Sequence, residues 1–360
     1  MDFIKLALDQ ARQAIGLSYP NPAVGAVVIK NSEIIGTGFT QKQGGNHAEI
    51  MAIETAKESC ENSTLYVTLE PCSHFGKTPP CTERIIQSGI KKVVYGIKDP
   101  NPLVCGEGLA NLQKANIIIE QTPISSSIKT FYEAYIQFHT LKKPFVSGKF
   151  AASLDGKIST LSGESKWITN EYSRAKAHEI RTSSDVVIVG INTILQDDSR
   201  LTARKKDGSE YEFQPLRVIL DSNGKIPKKA KVFKNPSKTL VAYNNISKDK
   251  KRFFENEGIN SIQLAKDNRV DVNKLIDYLY SESKYQILVE GGSQILGSFF
   301  NLQLIDKIYA FISPIIIGGD KTPSAVGGLG AINMSDIIKL DKIKIESFAS
   351  DILLTGYPQR

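Results

Sequence analysis

Two hydrophobic periods alternate along the chain. Phe3, Leu6, Ala7, Ala11 and Ala14 recur at helical spacing, and Tyr19-Pro20-Asn21-Pro22 ends that pattern. Val24 to Ile29 predicts a strand, Asn31-Ser32 a turn, and Glu33 to Phe39 a returning strand, which together make a hairpin. Gly44-Gly45-Asn46 leads into a helix from about His47 to Ser59. Leu65 to Leu69, Lys92 to Ile97 and Ile117 to Ile119 follow as strands, the last at an edge. A short helix runs from Cys81 to Ser88 and another from Asn111 to Ala115. From Ile124 to Leu141 the period is helical, with Ile128, Phe131, Tyr135 and Phe138 on one face. Lys142-Lys143-Pro144 stops it, and a domain boundary belongs there, giving domains of 1–143 and 144–360.

The second half repeats the alternation without repeating the sequence. Strands are predicted at Phe145–Ala151, Asp185–Gly190, Leu216–Asp221, Thr239–Tyr243, Gln286–Glu290 and Lys307–Ile312. Helices are predicted at Asn170–Thr182, Val272–Glu282 and Gln294–Asn301. Strands alternating with helices make both halves α/β, the first with a mixed sheet. A chain of 360 residues suits two such domains.

Composition changes this picture little: 41% hydrophobic and 23% charged is ordinary for a soluble protein. No apolar run approaches the roughly 18 residues of a membrane span. The first helix carries Asp2 and Asp9, so it is amphipathic rather than a signal peptide. The expected compartment is the reducing cytoplasm, where Cys60, Cys72, Cys81 and Cys105 point to metal or catalysis before disulfides. The net charge of +7 is local: ten Lys/Arg and one acid lie between Lys225 and Arg252. That stretch is a solvated basic surface or a phosphate or nucleic-acid patch. Phe233 and Tyr243 are not spaced as a base-stacking platform, which argues against nucleic acid.

His47-Ala48-Glu49 has two readings. Asn46 can cap the helix with Glu49 reaching back as a capping box. Alternatively, His47 joins Cys72 and Cys81 around a metal. Cys81 opens a helix, where the dipole favours the thiolate that a metal needs. His47 and Glu49 would point about 200° apart around a helix of 3.6 residues per turn. They can converge only just off its N-terminal end. Three protein ligands leave a fourth position for water, the catalytic rather than the structural arrangement of zinc. Zinc lowers the pKa of water from about 16 to about 7, and Glu49 can then shuttle the proton. The zinc-deaminase signature H-x-E…P-C-x-x-C is present, except that eight residues separate Cys72 from Cys81.

That insert, in Glu70-Pro71-Cys72-Ser73-His74-Phe75-Gly76-Lys77-Thr78-Pro79-Pro80-Cys81, resembles the deaminase domain of the bifunctional riboflavin-biosynthesis RibD family. Pro20-Asn21-Pro22-x-Val24-Gly25 before it and Asp99-Pro100-Asn101-Pro102 after it strengthen the resemblance. Ser153-Leu154-Asp155-Gly156-Lys157, Ser162-Gly163-Glu164-Ser165-x-Trp167-Ile168-Thr169, Asp197-Asp198, Leu201-Thr202-x-Arg204 and Glu290-Gly291-Gly292 resemble its reductase domain. The implied architecture is a cytidine-deaminase-like α/β/α sandwich followed by a dihydrofolate-reductase-like α/β domain.

The resemblance also implies two steps: zinc-dependent loss of the 2-amino group from a phosphoribosylamino-pyrimidinone, then NADPH-dependent reduction of its ribosyl chain to ribityl. His47, Cys72 and Cys81 would hold zinc, with Glu49 as proton shuttle, and Asn21 and Lys77 would contact the deaminase substrate. Ala151, Trp167, Thr193, Asp197, Ser222, Gly292, Ser293 and Gly297 would line NADPH. Ser165, Arg181, Leu201, Arg204 and Glu290 would hold the reductase substrate, with Lys149 and Glu290 polarising and orienting the group that accepts hydride. There is no G-x-G-x-x-G, so a Rossmann site is not expected. The family associates through its reductase domains, so a homo-oligomer with no nucleic-acid or membrane partner is expected.

Plainer roles compete with several of these. Asn21 could be a turn residue and Lys77 a loop lysine. Trp167 could be a core anchor, Arg181 a helix-dipole partner and Asp197-Asp198 a turn. Cys60 and Cys105 read as passive thiols, His139 and His178 as surface or helix-face residues, and His74 as a competitor for the metal. Ser199 and Ser293 stand where the family commonly has proline.

Overall fold

The computed structural model describes residues 2–76, 78–102, 104–123, 125–235 and 238–359. The chain forms two compact units, Met1–Lys143 and Pro144–Arg360.

The first unit runs α1 (Phe3–Gln13), β1 (Gly25–Lys30), β2 (Glu33–Phe39), α2 (Ala48–Ala56), β3 (Thr64–Leu69), α3 (Cys81–Gln87), β4 (Lys92–Ile97), α4 (Glu107–Lys114), β5 (Ile118–Gln121), α5 (Ser126–Phe131) and α6 (Glu133–Leu141). Its sheet has the order β2-β1-β3-β4-β5. β1 is antiparallel to β2 and β3, while β3, β4 and β5 are parallel.

Two glycines of β2 set the seat of α2. A Cβ on Gly36 would lie 2.2 Å from the Ala52 carbonyl oxygen, and one on Gly38 would lie 2.3 Å from that of Ala48. Only glycine permits that approach. The facing residues Ala48, Ala52 and Ala56 recur every four positions and are buried. This close contact fixes where α2 begins.

Two local expectations are corrected. The capping box does not form: His47 is itself the N-cap residue, its side chain caps nothing, and Asn46 donates instead to Glu54 at 3.1 Å. The helix expected over 124–141 is two helices broken at Tyr132. The buried Tyr132 hydroxyl lies 2.6 Å from Thr68 Oγ1 and donates to the Ala23 carbonyl at 2.9 Å. Ile124 lies outside the described residues.

The second unit runs β6 (Phe145–Ser153), α7 (Glu171–Thr182), β7 (Val186–Gly190), α8 (Ile191–Asp197), β8 (Leu216–Leu220), β9 (Thr239–Tyr243), α9 (Lys248–Asn256), β10 (Asn260–Gln263), β11 (Ala265–Lys266), β12 (Arg269–Val270), α10 (Val272–Ser281), β13 (Gln286–Val289), α11 (Ser293–Asn301), β14 (Lys307–Ser313), β15 (Leu340–Phe348) and β16 (Asp351–Pro358). Nine strands form one sheet in the order β10-β9-β8-β7-β13-β6-β14-β16-β15. The pairs from β10 to β14 are parallel, and β16 and β15 close the far side antiparallel.

Alternate residues of the central strands face opposite sides, so the unit has two cores. Val186, Ile188, Ile287 and Val289 enter one, and Val187, Val189 and Leu288 enter the other. The basic stretch is partly structural. Lys231 pairs with Asp198 at 3.2 Å, Lys228 lies 5.2 Å from the Phe253 ring centre, and Lys250 donates to the Ile226 carbonyl.

Candidate functional site

In the first unit the early end of α2 and the early end of α3 meet. His47 Nδ1 lies 3.5 Å from Cys72 Sγ and 3.2 Å from Cys81 Sγ. All three ligand atoms lie within 4.8 Å of one another, the only such group among the described residues. Donors of a tetrahedral zinc with bonds of about 2.0–2.3 Å are roughly 3.5–3.8 Å apart, so the trio fits. His74 is not part of it, and Cys60 and Cys105 lie elsewhere, one buried and one exposed.

The electrostatics are those of donors crowded together. Hydrogen bonding to Cys81, and then to His47, pulls the Cys72 thiol down to about 4. The same thiol pair pushes Cys81 up. Hydrogen bonding to Cys72 raises His47 to about 8. A divalent cation would be the natural charge to balance this set. Glu49 is 3% exposed, and burial pushes its carboxyl up to about 7.

Asn21 precedes β1, in a loop tied down by the Tyr132 bond to Ala23 and by the Gly25 N–H donating to Thr68 Oγ1 at 3.1 Å. Lys77 lies outside the described residues. Two further residues were not singled out from sequence beyond their motifs. Glu70 is buried and accepts the N–H groups of Asp99 (3.2 Å), Gly106 (3.0 Å) and Leu109 (3.4 Å). Asp99 accepts from Asn101 N–H at 2.8 Å and the Tyr135 hydroxyl at 3.1 Å, and burial raises it to about 6.

In the second unit the register β6–β13 sets Gly148 opposite Val289, which brings Lys149, in the middle of β6, beside Glu290 just past the end of β13. Arg181 reaches Glu290 from α7 through two bonds, Nε–Oε1 at 2.8 Å and Nη2–Oε2 at 2.9 Å. Lys149 Nζ adds a third contact at 3.5 Å. Burial would raise the Glu290 carboxyl, but Arg181 and Lys149 overcome it and hold it at about 2. Arg181 therefore does more than offset the helix dipole.

Arg181 Nη1 also donates to the Thr202 carbonyl at 2.6 Å, beside Leu201, whose φ of 56° is costly for a branched side chain. Thr202 Oγ1 and Arg204 Nε are buried without a hydrogen-bond partner, an unusual state for buried polar groups. His178 receives the Arg204 backbone N–H at 3.3 Å. Burial and the neighbouring Arg181 lower its pKa to about 4. It sits on a helix face as expected, but no motif marked it as part of this cluster.

The remaining NADPH candidates scatter more widely. Asp197 accepts from Ser165 Oγ at 3.1 Å, and Thr193 lies on the same helix, α8. Ala151 lies on β6, and Ser222 follows β8, where its carbonyl accepts the Asn244 and Asn245 N–H groups. Gly292 caps α11 with open space before it, and Ser293 opens the helix, so backbone amides there can be approached by a phosphate. Gly297 also has a packing task, since a Cβ there would lie 2.0 Å from the Gly327 oxygen. Trp167 is no core anchor: it is 69% exposed, with the Arg174 guanidinium 4.3 Å from its ring centre.

A family model for the RibD C-terminal domain matches residues 144–354, and one for the cytidine and deoxycytidylate deaminase zinc-binding region matches residues 1–97. The riboflavin biosynthesis protein RibD of Aquifex aeolicus is 38% identical over 98% of this chain and 97% of its own length. That of Bacillus amyloliquefaciens is 37% identical over 99% and 96%. The solved RibD of Acinetobacter baumannii (form 1) superposes with a TM-score of 0.89 at 31% identity, covering 99% of this chain and 98% of that one. A diaminohydroxyphosphoribosylaminopyrimidine deaminase/5-amino-6-(5-phosphoribosylamino)uracil reductase from Thermotoga maritima does so at 0.85 and 36%, with the same coverage. Zinc serves the deaminase half and NADPH the reductase half. With both halves matched in order and nearly end to end, the chain belongs to the RibD family of bifunctional deaminase–reductases of riboflavin biosynthesis.

Proposed function

We propose that residues 1–143 remove the 2-amino group from a diaminopyrimidinone bearing a 5-phosphoribosylamino group, and that residues 144–360 reduce the ribosyl chain of the product to ribityl. The Thermotoga maritima neighbour, whose name carries both activities, supports this pair of substrates. The observation that carries the reading is the buried Glu49 carboxyl beside the His47, Cys72 and Cys81 donors.

His47, Cys72 and Cys81 would hold zinc, which supplies the Lewis acidity that makes water a nucleophile near neutral pH. Glu49 takes the proton from the attacking water on a carboxylate oxygen and delivers it to the departing amino nitrogen, so that ammonia leaves and a carbonyl remains. Asn21 and Lys77 orient the substrate, Lys77 as a point charge for its phosphate.

In the reductase half NADPH supplies hydride. Glu290, kept ionised by Arg181, orients the ribosyl group, and Lys149 Nζ donates a hydrogen bond to the sugar oxygen. Ser165, Leu201 and Arg204 complete the substrate site. The partnerless Arg204 Nε and Thr202 Oγ1 support a polar group binding beside them. Ala151, Trp167, Thr193, Asp197, Ser222, Gly292, Ser293 and Gly297 form the cofactor side.

Association between reductase halves is supported by apolar side chains left on or just before the edge strand β15. Leu329, Ile332, Met334 and Ile345 are 95%, 90%, 80% and 61% exposed. No helix among the described residues is long and apolar enough to cross a membrane, which is compatible with work in the cytoplasm.

The test follows ammonia release and NADPH oxidation together on the phosphoribosyl diaminopyrimidine. Glu49→Gln is expected to keep zinc and to oxidise NADPH when given the deaminated intermediate, while ammonia release falls at least ~10²-fold. Ammonia release at the wild-type rate would remove Glu49 from the mechanism.

A further inference from the structure

Glu70 has a geometry that the chemistry above leaves unused. It follows the last residue of β3, and its own N–H continues the sheet by donating to the Ile97 carbonyl at 3.0 Å. Its carboxylate is buried and gathers three backbone N–H groups from two other segments, Asp99 before α4 and Gly106 and Leu109 at the start of α4. α4 has no cap of its own, because its N-cap position is Gly106 in the left-handed region with no side chain to offer. Glu70 is therefore a cap supplied from 36 residues away, and a carboxylate at a helix start is also favoured by the dipole. The helix presses back on the same loop: a Cβ on Gly108 would lie 1.9 Å from the Pro71 carbonyl oxygen. Pro71 is held between these contacts, and Cys72 is the next residue.

We propose that Glu70 is a positioning residue of the deaminase site, one that fixes the direction of Cys72 by clamping the Glu70-Pro71 turn to the start of α4. The inference rests on the reading that Cys72 is a zinc ligand. Residues that orient metal ligands change metal affinity or activity by about 10–100-fold when altered. Glu70→Gln keeps the shape but replaces one charged acceptor oxygen with an amide donor facing N–H groups. Gly108→Ala leaves Glu70 intact and forces α4 away from Pro71, so it strikes the same clamp from the other side.

The full chain is loaded with zinc, and its loss to a chelator is measured with the kcat and KM of ammonia release. NADPH oxidation on the deaminated intermediate controls for the fold of the other half. Each variant is expected to lose zinc about 10–100-fold more readily and to lower kcat more than it raises KM, with NADPH oxidation unchanged. If one variant cannot be purified, the other decides. Wild-type zinc retention and kcat together with a lowered melting temperature would make Glu70 merely structural and overturn the proposal. A wild-type chain that holds no zinc would instead overturn the reading on which the proposal rests.

Discussion

Replacing Arg181 with methionine should unfold the reductase half at a much lower temperature, and the reason lies in Glu290. That carboxylate is buried, and its charge is held by Arg181 through two bonds and by Lys149 at 3.5 Å. The difference between the ordinary 4.5 and about 2 corresponds to about 3 kcal/mol, at roughly 1.4 kcal/mol per tenfold. Removing one partner of a buried pair typically costs about 3–5 kcal/mol, which agrees. For a unit of this size each kcal/mol moves the midpoint by about 2–4 °C, so a fall of about 6–12 °C is expected.

The pH dependence has a definite sign. A carboxyl depressed in the fold contributes fully above about 4.5, and that contribution is lost as pH falls toward about 2. The deficit of Arg181→Met should therefore be greatest at neutral pH and shrink on acidification, as Glu290 takes up a proton. Adding Glu290→Gln should recover part of the loss, because the uncompensated charge is gone. Scanning calorimetry of the full chain at several pH values provides the measurement. A midpoint drop below about 2 °C at neutral pH, or a double variant no more stable than the single one, refutes the argument.

Cys81→Ser should lower the zinc bound per chain in a metal assay, and a full complement would exclude Cys81 as a ligand. His178 is held near 4 by burial and by Arg181. Between about 4 and 6.5 the unfolded chain takes up a proton that the folded one does not, so stability of the second unit falls as pH drops through that window. His178→Gln should flatten that slope, and an unchanged slope in calorimetry would contradict the assignment. Tyr132→Phe removes the bonds to Thr68 and Ala23 and should destabilise the first unit by about 1–3 kcal/mol in denaturant melts. An unchanged midpoint would show that the hydroxyl is dispensable.

What could be read from the chain was whatever its local pattern determines. The hydrophobic strands of both sheets and the His47, Cys72 and Cys81 set are of that kind. The antiparallel pair β15–β16 escapes that reading: β15 alternates too weakly because most of it is exposed, and β16, though partly buried, mixes its short apolar run with Thr355, Gly356 and Pro358. α9 was hidden in the basic stretch because, of its residues, only Phe254 is buried. The capping box at Asn46 was a sound local reading that tertiary contact overrode, since Gly36 and Gly38 seat α2 one residue later. Arg181 and Glu290 are 109 residues apart, and only the parallel register between β6, β13 and β7 brings their segments together. No spacing rule reaches that far.

Glu70 and Glu290 solve one problem in two ways. Each follows the last residue of a parallel-paired strand, and each N–H extends its ladder, to Ile97 in one unit and to Ile188 in the other. Each therefore places a carboxylate at the end of a sheet, where loops converge and water is scarce. Glu70 is balanced by backbone dipoles, which cannot titrate or leave, so it suits a fixed clamp beside metal donors. Glu290 is balanced by two side-chain cations, Arg181 and Lys149, which unlike backbone dipoles keep donors that another anion could share. The difference predicts where each site can adapt: rigidly around zinc in the first unit, and by rearranging charge around the ligand in the second.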